Sequence, residues 1–430
     1  MPNTFLTTFK VDATPPLGHP LCGGWIKPAT KIGTPLYCYG LILQGPEAPI
    51  VLVAFDWTGI LNESHVEFTK LIAKAAHTTP ERVALHCVHQ HNAPFVDGGA
   101  QKLVSQHKDL PASFDVAWFA SIQQKVTKAI AESLKKLQPV THMQTGTSRV
   151  EGVASNRRIL GPDGKVQGWR GSSCKDAKLR DEPVGLIDQG LRTVVFWNEE
   201  AKLAALHYYA CHPMSYYGDG EVNYDFVGIA RERRAKEDNV PHLYFNGCAG
   251  NVAAGKYNDG TPPRRAALAE IIYDGLVKSD HEPDKVPLER WEWRSTPVEL
   301  PVRKDLTEEK IKQVIANSKE STSNRIRAAM QLSYLKRCEE KIPIILNGLI
   351  LNTNTRIIHL PGECFIEYMQ YAKFQLPDAN LITVSYGDGG PWYIPTADAY
   401  PQGGYEITAT WVAPESEAIL QEGIKHFLRR

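Results

Sequence analysis

The stretch that decides the fold class runs from Pro49 to Val88. It opens with Pro49-Ile-Val-Leu-Val-Ala-Phe55, continues through a segment from Asn62 carrying Val66, Leu71, Ile72 and Ala75, and closes with Val83-Ala-Leu-His-Cys-Val88. The two outer runs are short, almost wholly apolar and rich in Val, Leu and Ile, which is the pattern of a strand buried on both faces. The middle segment repeats its apolar residues at three and four, the period of an amphipathic helix. Upstream, Phe5 to Val11 alternates like a strand and stops at Asp12-Ala-Thr-Pro-Pro16, and Leu36 to Leu43 reads as a second strand. The first hundred residues therefore predict an α/β layer architecture.

Downstream, Phe114 to Leu137 predicts a long amphipathic helix. Between Glu151 and Gln189 the apolar period disappears, and a connection this long inside a compact domain is often a lid or binding loop. Leu191 to Trp197 and Leu203 to Tyr209 predict a hairpin around Asn198-Glu-Glu. Then come a helix over Phe226 to Asp238, a short strand Leu243 to Asn246 entering a Gly-rich loop, and a helix over Arg264 to Val277. The charged segment 304–340 reads as a helical insertion or small subdomain. Ile342 to Leu351 and Thr355 to Leu360 return to strand, Glu363 to Phe374 is helical in pattern, and Glu415 to Leu428 closes the chain as an amphipathic helix. No repeat, low-complexity tract or Pro/Gly/Ser linker divides the sequence. The expectation is one elaborated α/β domain over residues 1–430, with mixed β-sheets flanked by helices.

Composition narrows the function. Across 430 residues Lys+Arg and Asp+Glu are both 48, so there is no basic excess of the kind a nucleic-acid binder shows. The longest apolar run falls far short of the ~20 residues of a bilayer span. Met1 to Thr14 carries Lys10 and Asp12 and lacks a signal-peptide core, so a cytoplasmic protein is expected, a removed leader staying compatible with this start. The eight cysteines form no CxxC pair and read as reduced, mostly buried thiols.

Three strand ends carry metal or acid–base chemistry. In Leu85-His-Cys-Val-His89-Gln-His91-Asn-Ala-Pro94, an extended chain would project His89 and His91 to one side. Two imidazoles together suit zinc, copper, nickel or iron, and equally a pair of hydrogen-bonded loop histidines. His212, in Ala210-Cys-His-Pro213, follows a strand and reads as a ligand or as a satisfied core histidine. Glu363, in Leu360-Pro-Gly-Glu363, sits at a strand-to-helix turn, where a carboxylate also serves as a cap. Gly250-Asn-Val-Ala-Ala-Gly255-Lys256 spells the start of a phosphate-binding loop. It is followed by Tyr257 rather than Ser or Thr, and by Asn-Asp-Gly-Thr-Pro-Pro, which opposes a helix, so nucleotide binding is not expected. No GxSxG or HExxH occurs.

Taken in order, the motifs resemble the catalytic domain of the neutral (non-lysosomal) ceramidase family. Val11-Asp-Ala-Thr-Pro15 with Gly18 is similar to that family's opening turn, and Val88-His-Gln-His-Asn-Ala-Pro94 to its Thr-His-Thr-His-Ser-Gly-Pro segment. Ser155-Asn156-Arg157, Cys211-His212-Pro213 and Leu360-Pro-Gly-Glu363 fall where it has Asn-Arg-Ser, a His-Pro or His-Gly turn, and Leu-Pro-Gly-Glu. Trp392-Tyr393-Ile-Pro-Thr396 with Gly404-Tyr405-Glu406 resembles its late motifs.

The resemblance implies a zinc ion (Zn2+) held by His89, His212, Glu363 and Tyr393, with His91, Arg157 and Tyr405 as catalytic neighbours. Arg157 would offer fixed positive charge and Tyr405 a neutral donor toward developing negative charge. One departure matters. The family's Gly-Asp-Val-Ser-Pro-Asn nucleophile loop stands here as Gly250-Asn-Val-Ala253-Ala-Gly255, and a methyl group cannot attack a carbonyl. The chain also ends at Arg430, so the accessory C-terminal domain of ceramidases is not expected. The reading is therefore a zinc-dependent hydrolase, an amidohydrolase in the broad sense, acting through metal-activated water on an amide, ester or lactone of a small, polar substrate. The alternatives are a metal-dependent lyase or isomerase, or an inactive ligand-binding homologue; ceramide is a weaker candidate substrate. Oligomeric state is not legible.

Overall fold

The computed structural model describes residues 3–281 and 285–429. Three mixed sheets dominate the described residues, each combining antiparallel strands with one parallel pair. In the first, Val83–Cys87 lies parallel to Ile50–Phe55, followed by Tyr37–Gln44, Phe5–Asp12 and Gln138–Pro139. In the second, His242–Asn246 runs parallel to Ala201–Tyr209, which continues through Gly190–Asn198 and His142–Arg149 to Val286–Pro287. In the third, Trp291–Val298, Ile344–Leu351 and Thr355–His359 are antiparallel, and Asn380–Val384 adds in parallel.

The all-apolar run Ile50–Phe55 behaves as its composition requires. Val51, Val53 and Phe55 face a core shared with Phe68, Ile72, Ile122 and Val126, on the helices Asn62–Ala75 and Val116–Ser133. Ile50, Leu52 and Ala54 face the larger core that includes Val194, Leu206 and Phe245 of the second sheet. Period-two side chains thus feed two cores at once, and a polar residue would be costly on either face.

The charged segment 304–340 forms the helices Glu308–Ala316 and Thr322–Glu339. The second is built into the molecule rather than appended, for it buries Ile326, Ala329, Met330, Leu332 and Tyr334 in the main core. Its charges conceal this from composition: Arg325 pairs with Asp109, and Arg337 reaches Asp388 at 2.6 Å. The stretch from Glu151 to Gln189 holds only short elements, Ser155–Asn156, Arg158–Leu160, Val166–Trp169 and Ala177–Asp181. Arg170 is fully buried there and donates to the backbone oxygens of Asn156, Leu179, Glu182 and Pro183, acting in place of an apolar core. All eight cysteines are free thiols. No helix among the described residues is long and apolar enough to cross a membrane.

Candidate metal centre

The parallel edges of the three sheets meet at one place. The Cys87 amide donates to the Tyr386 oxygen at 3.0 Å, and the Ser385 amide donates to the Asn246 oxygen at 2.9 Å, tying the first sheet to the third and the third to the second. Loops leaving the C-terminal ends of strands, one from each sheet, deliver His89, His212 and Glu363 to this junction. It is where open α/β sheets gather ligands, because chains diverge there and leave a crevice.

His89 and His91 do come together, with ring centres 4.8 Å apart, but by a route other than extended alternation. The strand ends at Cys87, and His89 adopts φ +80, which turns its ring inward. The ligand-atom nitrogens of His89, His91 and His212 lie within 4.8 Å of one another. His89 Nδ1 donates to the Thr58 oxygen at 2.6 Å, and His212 Nδ1 donates to the Ala249 oxygen at 2.7 Å. A backbone carbonyl can only accept, so in neutral imidazoles both Nε2 atoms carry bare lone pairs toward the centre. Glu363 Oε2 stands 2.9 Å from His212 Nε2 and 3.5 Å from His89 Nε2. All four atoms, three Nε2 and the carboxylate oxygen, are buried without a hydrogen-bond partner. The convergence of four such atoms makes this junction a candidate cation site.

Glu363 does not cap the helix that follows. It forms a two-residue strand paired in parallel with Tyr393–Ile394, and the helix begins only at Ile366. This pairing puts Glu363 directly beside Tyr393, whose ring lies nearly parallel to that of His212 at 6.4 Å. Gly250 allows the approach: a Cβ there would sit 2.2 Å from the Glu363 backbone oxygen. Burial, reinforced by the Arg157 charge, lowers His212 to about 4, and burial raises Tyr393 well above an ordinary phenol.

Arg157 is buried against this group. Its Nη2 donates to the Tyr393 hydroxyl at 3.1 Å and to the Gly250 oxygen at 2.7 Å, and its Nε donates to Glu406 at 3.1 Å. Tyr405 packs on Tyr393 and Trp169, with ring centres 5.8 and 5.1 Å away. Every expected site residue therefore lies at one junction. Two further residues belong here that no motif marks in this role: Tyr386, whose ring centre is 4.5 Å from that of His89, and Glu406, fully buried and shared by Arg157, Arg158 and the Trp169 indole. The Arg157-Arg158 doublet was the available signal for Glu406, since two buried guanidiniums need an acid. Asp238, His242 and Asp280 form a second group of metal-like spacing, but Lys202 and Arg234 already neutralise both carboxylates.

No family model and no curated protein matches the chain. Solved structures do. A structure described as a ceramidase complexed with C2 superposes with a TM-score of 0.70 at 15% identity, over 99% of this chain and 75% of that one. Neutral ceramidase from Pseudomonas aeruginosa gives a TM-score of 0.70 at 15% identity, over 99% of this chain and 74% of its own. The chain has the neutral-ceramidase fold. The resemblance carried by the motifs is thus borne out in the architecture, at an identity that marks a divergent example. Within this neutral-ceramidase fold, Ala253 is fully buried in a short ladder opposite Ser155. The Ser155 hydroxyl is engaged, donating to the Ala253 oxygen at 2.9 Å, and does not stand in for a missing nucleophile.

Proposed function

We propose that this protein is a metal-dependent hydrolase that uses water to cleave an amide, ester or lactone bond in a small, polar substrate. The observation that carries the reading is the convergence of four partnerless buried atoms, on His89, His91, His212 and Glu363. Two neutral imidazoles with fixed tautomers and a carboxylate are a donor set suited to zinc, with Tyr393 adjacent as a further oxygen and His91 placed to join the set or to flank it. A zinc ion bound there would supply Lewis acidity and lower the pKa of water to about 7.

The chain's own groups do the rest. Arg157 holds the Tyr393 hydroxyl in place and brings positive charge to the junction, while Glu406 orients the guanidinium. Tyr405, half-buried beside Tyr393, has a hydroxyl that bonds to no described side chain and is free to donate to a carbonyl oxygen as charge develops on it. A thiol nucleophile is not the route, because burial and the Glu363 charge push Cys22 up to about 12, although its sulfur lies 3.8 Å from His91 Nδ1. The ceramidase neighbours act in support of an amide as the bond cleaved, whereas Ala253 argues for direct attack by water. Elemental analysis of protein purified without chelator, beside His212→Ala, tests the reading together with a screen of amides, esters and lactones in ¹⁸O-water. One zinc per chain, lost in the variant, with solvent oxygen in the product, is expected. A metal-free protein, or a product without solvent oxygen, overturns it.

A further inference from the structure

We propose that Arg327 anchors a carboxylate of the substrate, so that the molecule cleaved is anionic. The chemistry of cleavage rests on the hydrolase reading above, but the anion site stands on its own observations. Arg327 lies on the helix Thr322–Glu339, next to the buried Ile326, and is half-buried. Its guanidinium carbon is 5.4 Å from the centre of the Trp392 ring. Trp392 lines a cavity of about 20 Å³ together with His89, Glu363 and Tyr386, so the ring that the guanidinium lies over borders the candidate metal centre.

What sets Arg327 apart is its lack of a partner. Its Nε is buried without a hydrogen bond, and no carboxylate or carbonyl of the described residues accepts from its guanidinium. Its neighbours on the same helix differ: Arg325 is matched by Asp109 and Arg337 by Asp388. Arg157 and Arg158, deeper in the site, share Glu406. Three groups feel the unmatched charge, Cys22, Tyr217 and Tyr405, in each of which it opposes the upward push of burial. Two of these face His91, Cys22 at 3.8 Å from its Nδ1 and Tyr217 with ring centres 5.2 Å apart. The charge of Arg327 therefore reaches the groups that surround His91, while its guanidinium carbon lies over Trp392.

A half-buried guanidinium without a counter-charge loses hydration and has only the Trp392 ring face in return. A substrate carboxylate removes that cost, because the planar fork donates to it through two parallel N–H···O bonds. A neutral long-chain amide would leave the guanidinium unmatched, so the feature selects against such substrates as well as for anions.

Calorimetric binding of N-acetyl amino acids, each beside the same compound with its carboxylate replaced by a methylamide, tests this on the wild type, Arg327→Gln and Arg327→Lys. For at least one pair the wild type is expected to prefer the acid by about tenfold or more, the worth of one charge-assisted pair. Arg327→Gln should reduce that ratio to near one, and Arg327→Lys should keep part of it. An acid preference that survives in Arg327→Gln means another group holds the carboxylate and overturns the proposal, as does the absence of any preference across the panel. Hydrolysis of the same compounds is followed in parallel. Acid-selective binding lost in Arg327→Gln without cleavage of any member upholds the anion site while counting against the hydrolase reading.

Discussion

The Nε2 of His212 stands 2.9 Å from Oε2 of Glu363, yet no proton is available to join them, because the hydrogen of the neutral ring is committed through Nδ1 to the Ala249 oxygen. Two lone-pair-bearing atoms this close repel unless a cation lies beside both. Metal binding should therefore be coupled to folding. Saturating zinc is expected to stabilise the protein by about 3–4 kcal/mol at free metal concentrations well above Kd. Thermal melts with and without a chelator, and after zinc is restored, should shift together in the wild type and not at all in His212→Ala. A wild-type melting curve indifferent to chelator contradicts the coupling.

Glu406 is the only carboxylate among the described residues that Arg157 and Arg158 pair with, and all three side chains are buried. Removing its charge leaves two guanidiniums without compensation, and breaking a buried pair costs about 3–5 kcal/mol. Glu406→Gln keeps the shape and a hydrogen-bond acceptor for the Trp169 indole, so the loss would report charge rather than packing. Urea denaturation should show destabilisation of this order, with turnover reduced because Arg157 no longer fixes the Tyr393 hydroxyl. A change below about 0.5 kcal/mol, the range of ordinary surface substitutions, would mean that water or another group satisfies the arginines.

How much of this was legible in the sequence depends on what each residue's role requires. Ile50–Phe55 announced itself because a strand facing two cores must be apolar throughout. His89, His212 and Glu363 were legible as chemistry at strand ends, and their motifs supplied the order, but their convergence depends on three sheets meeting edge to edge, which no local pattern encodes. The route was also misread at His89, where a left-handed backbone rather than strand alternation aims the ring. Tyr386 gave no signal of its own, since it reaches His89 only because the Cys87 amide bonds to its backbone oxygen. The helix Thr322–Glu339 looked like part of an insertion or small subdomain because its buried charges are matched by Asp109 and Asp388, distant in sequence. Arg327 could not be told from Arg325 without knowing which of them has a partner.

Acid should destabilise the fold through its buried histidines. His86 is held neutral by burial, lowered from 6.5 to about 4, while its Nδ1 donates to the Ser385 oxygen. His207 and His359 are likewise pushed well below the ordinary value, by burial first and then by the adjacent His242 and His86 respectively. Between pH 6.5 and 4 the unfolded chain takes up protons that the folded chain refuses, so unfolding becomes easier as pH falls through this window. His86 alone accounts for about 3 kcal/mol over the window, at 1.36 kcal/mol per pKa unit. Denaturation midpoints in urea at pH 7, 6, 5 and 4 should fall steadily. A profile flat from pH 7 to 5 would show that these rings accept protons within the fold.

The last prediction concerns the missing hydroxyl. If water attacks the substrate directly, restoring a serine at position 253 adds no step that the protein needs. Ala253 is fully buried, and its backbone oxygen already accepts from the Ser155 hydroxyl, so a new hydroxyl there would compete for partners in a filled ladder. An unsatisfied buried hydroxyl costs about 1–3 kcal/mol. Ala253→Ser should therefore be slightly less stable, no more active, and without a burst of acyl-enzyme on an activated ester, while ¹⁸O from solvent enters the product of wild type and variant alike in a single turnover. A burst confined to the variant, with a gain in turnover, would show instead that the surrounding groups are still arranged for a serine nucleophile, and that the natural alanine marks a site whose chemistry has been switched off rather than rerouted through water.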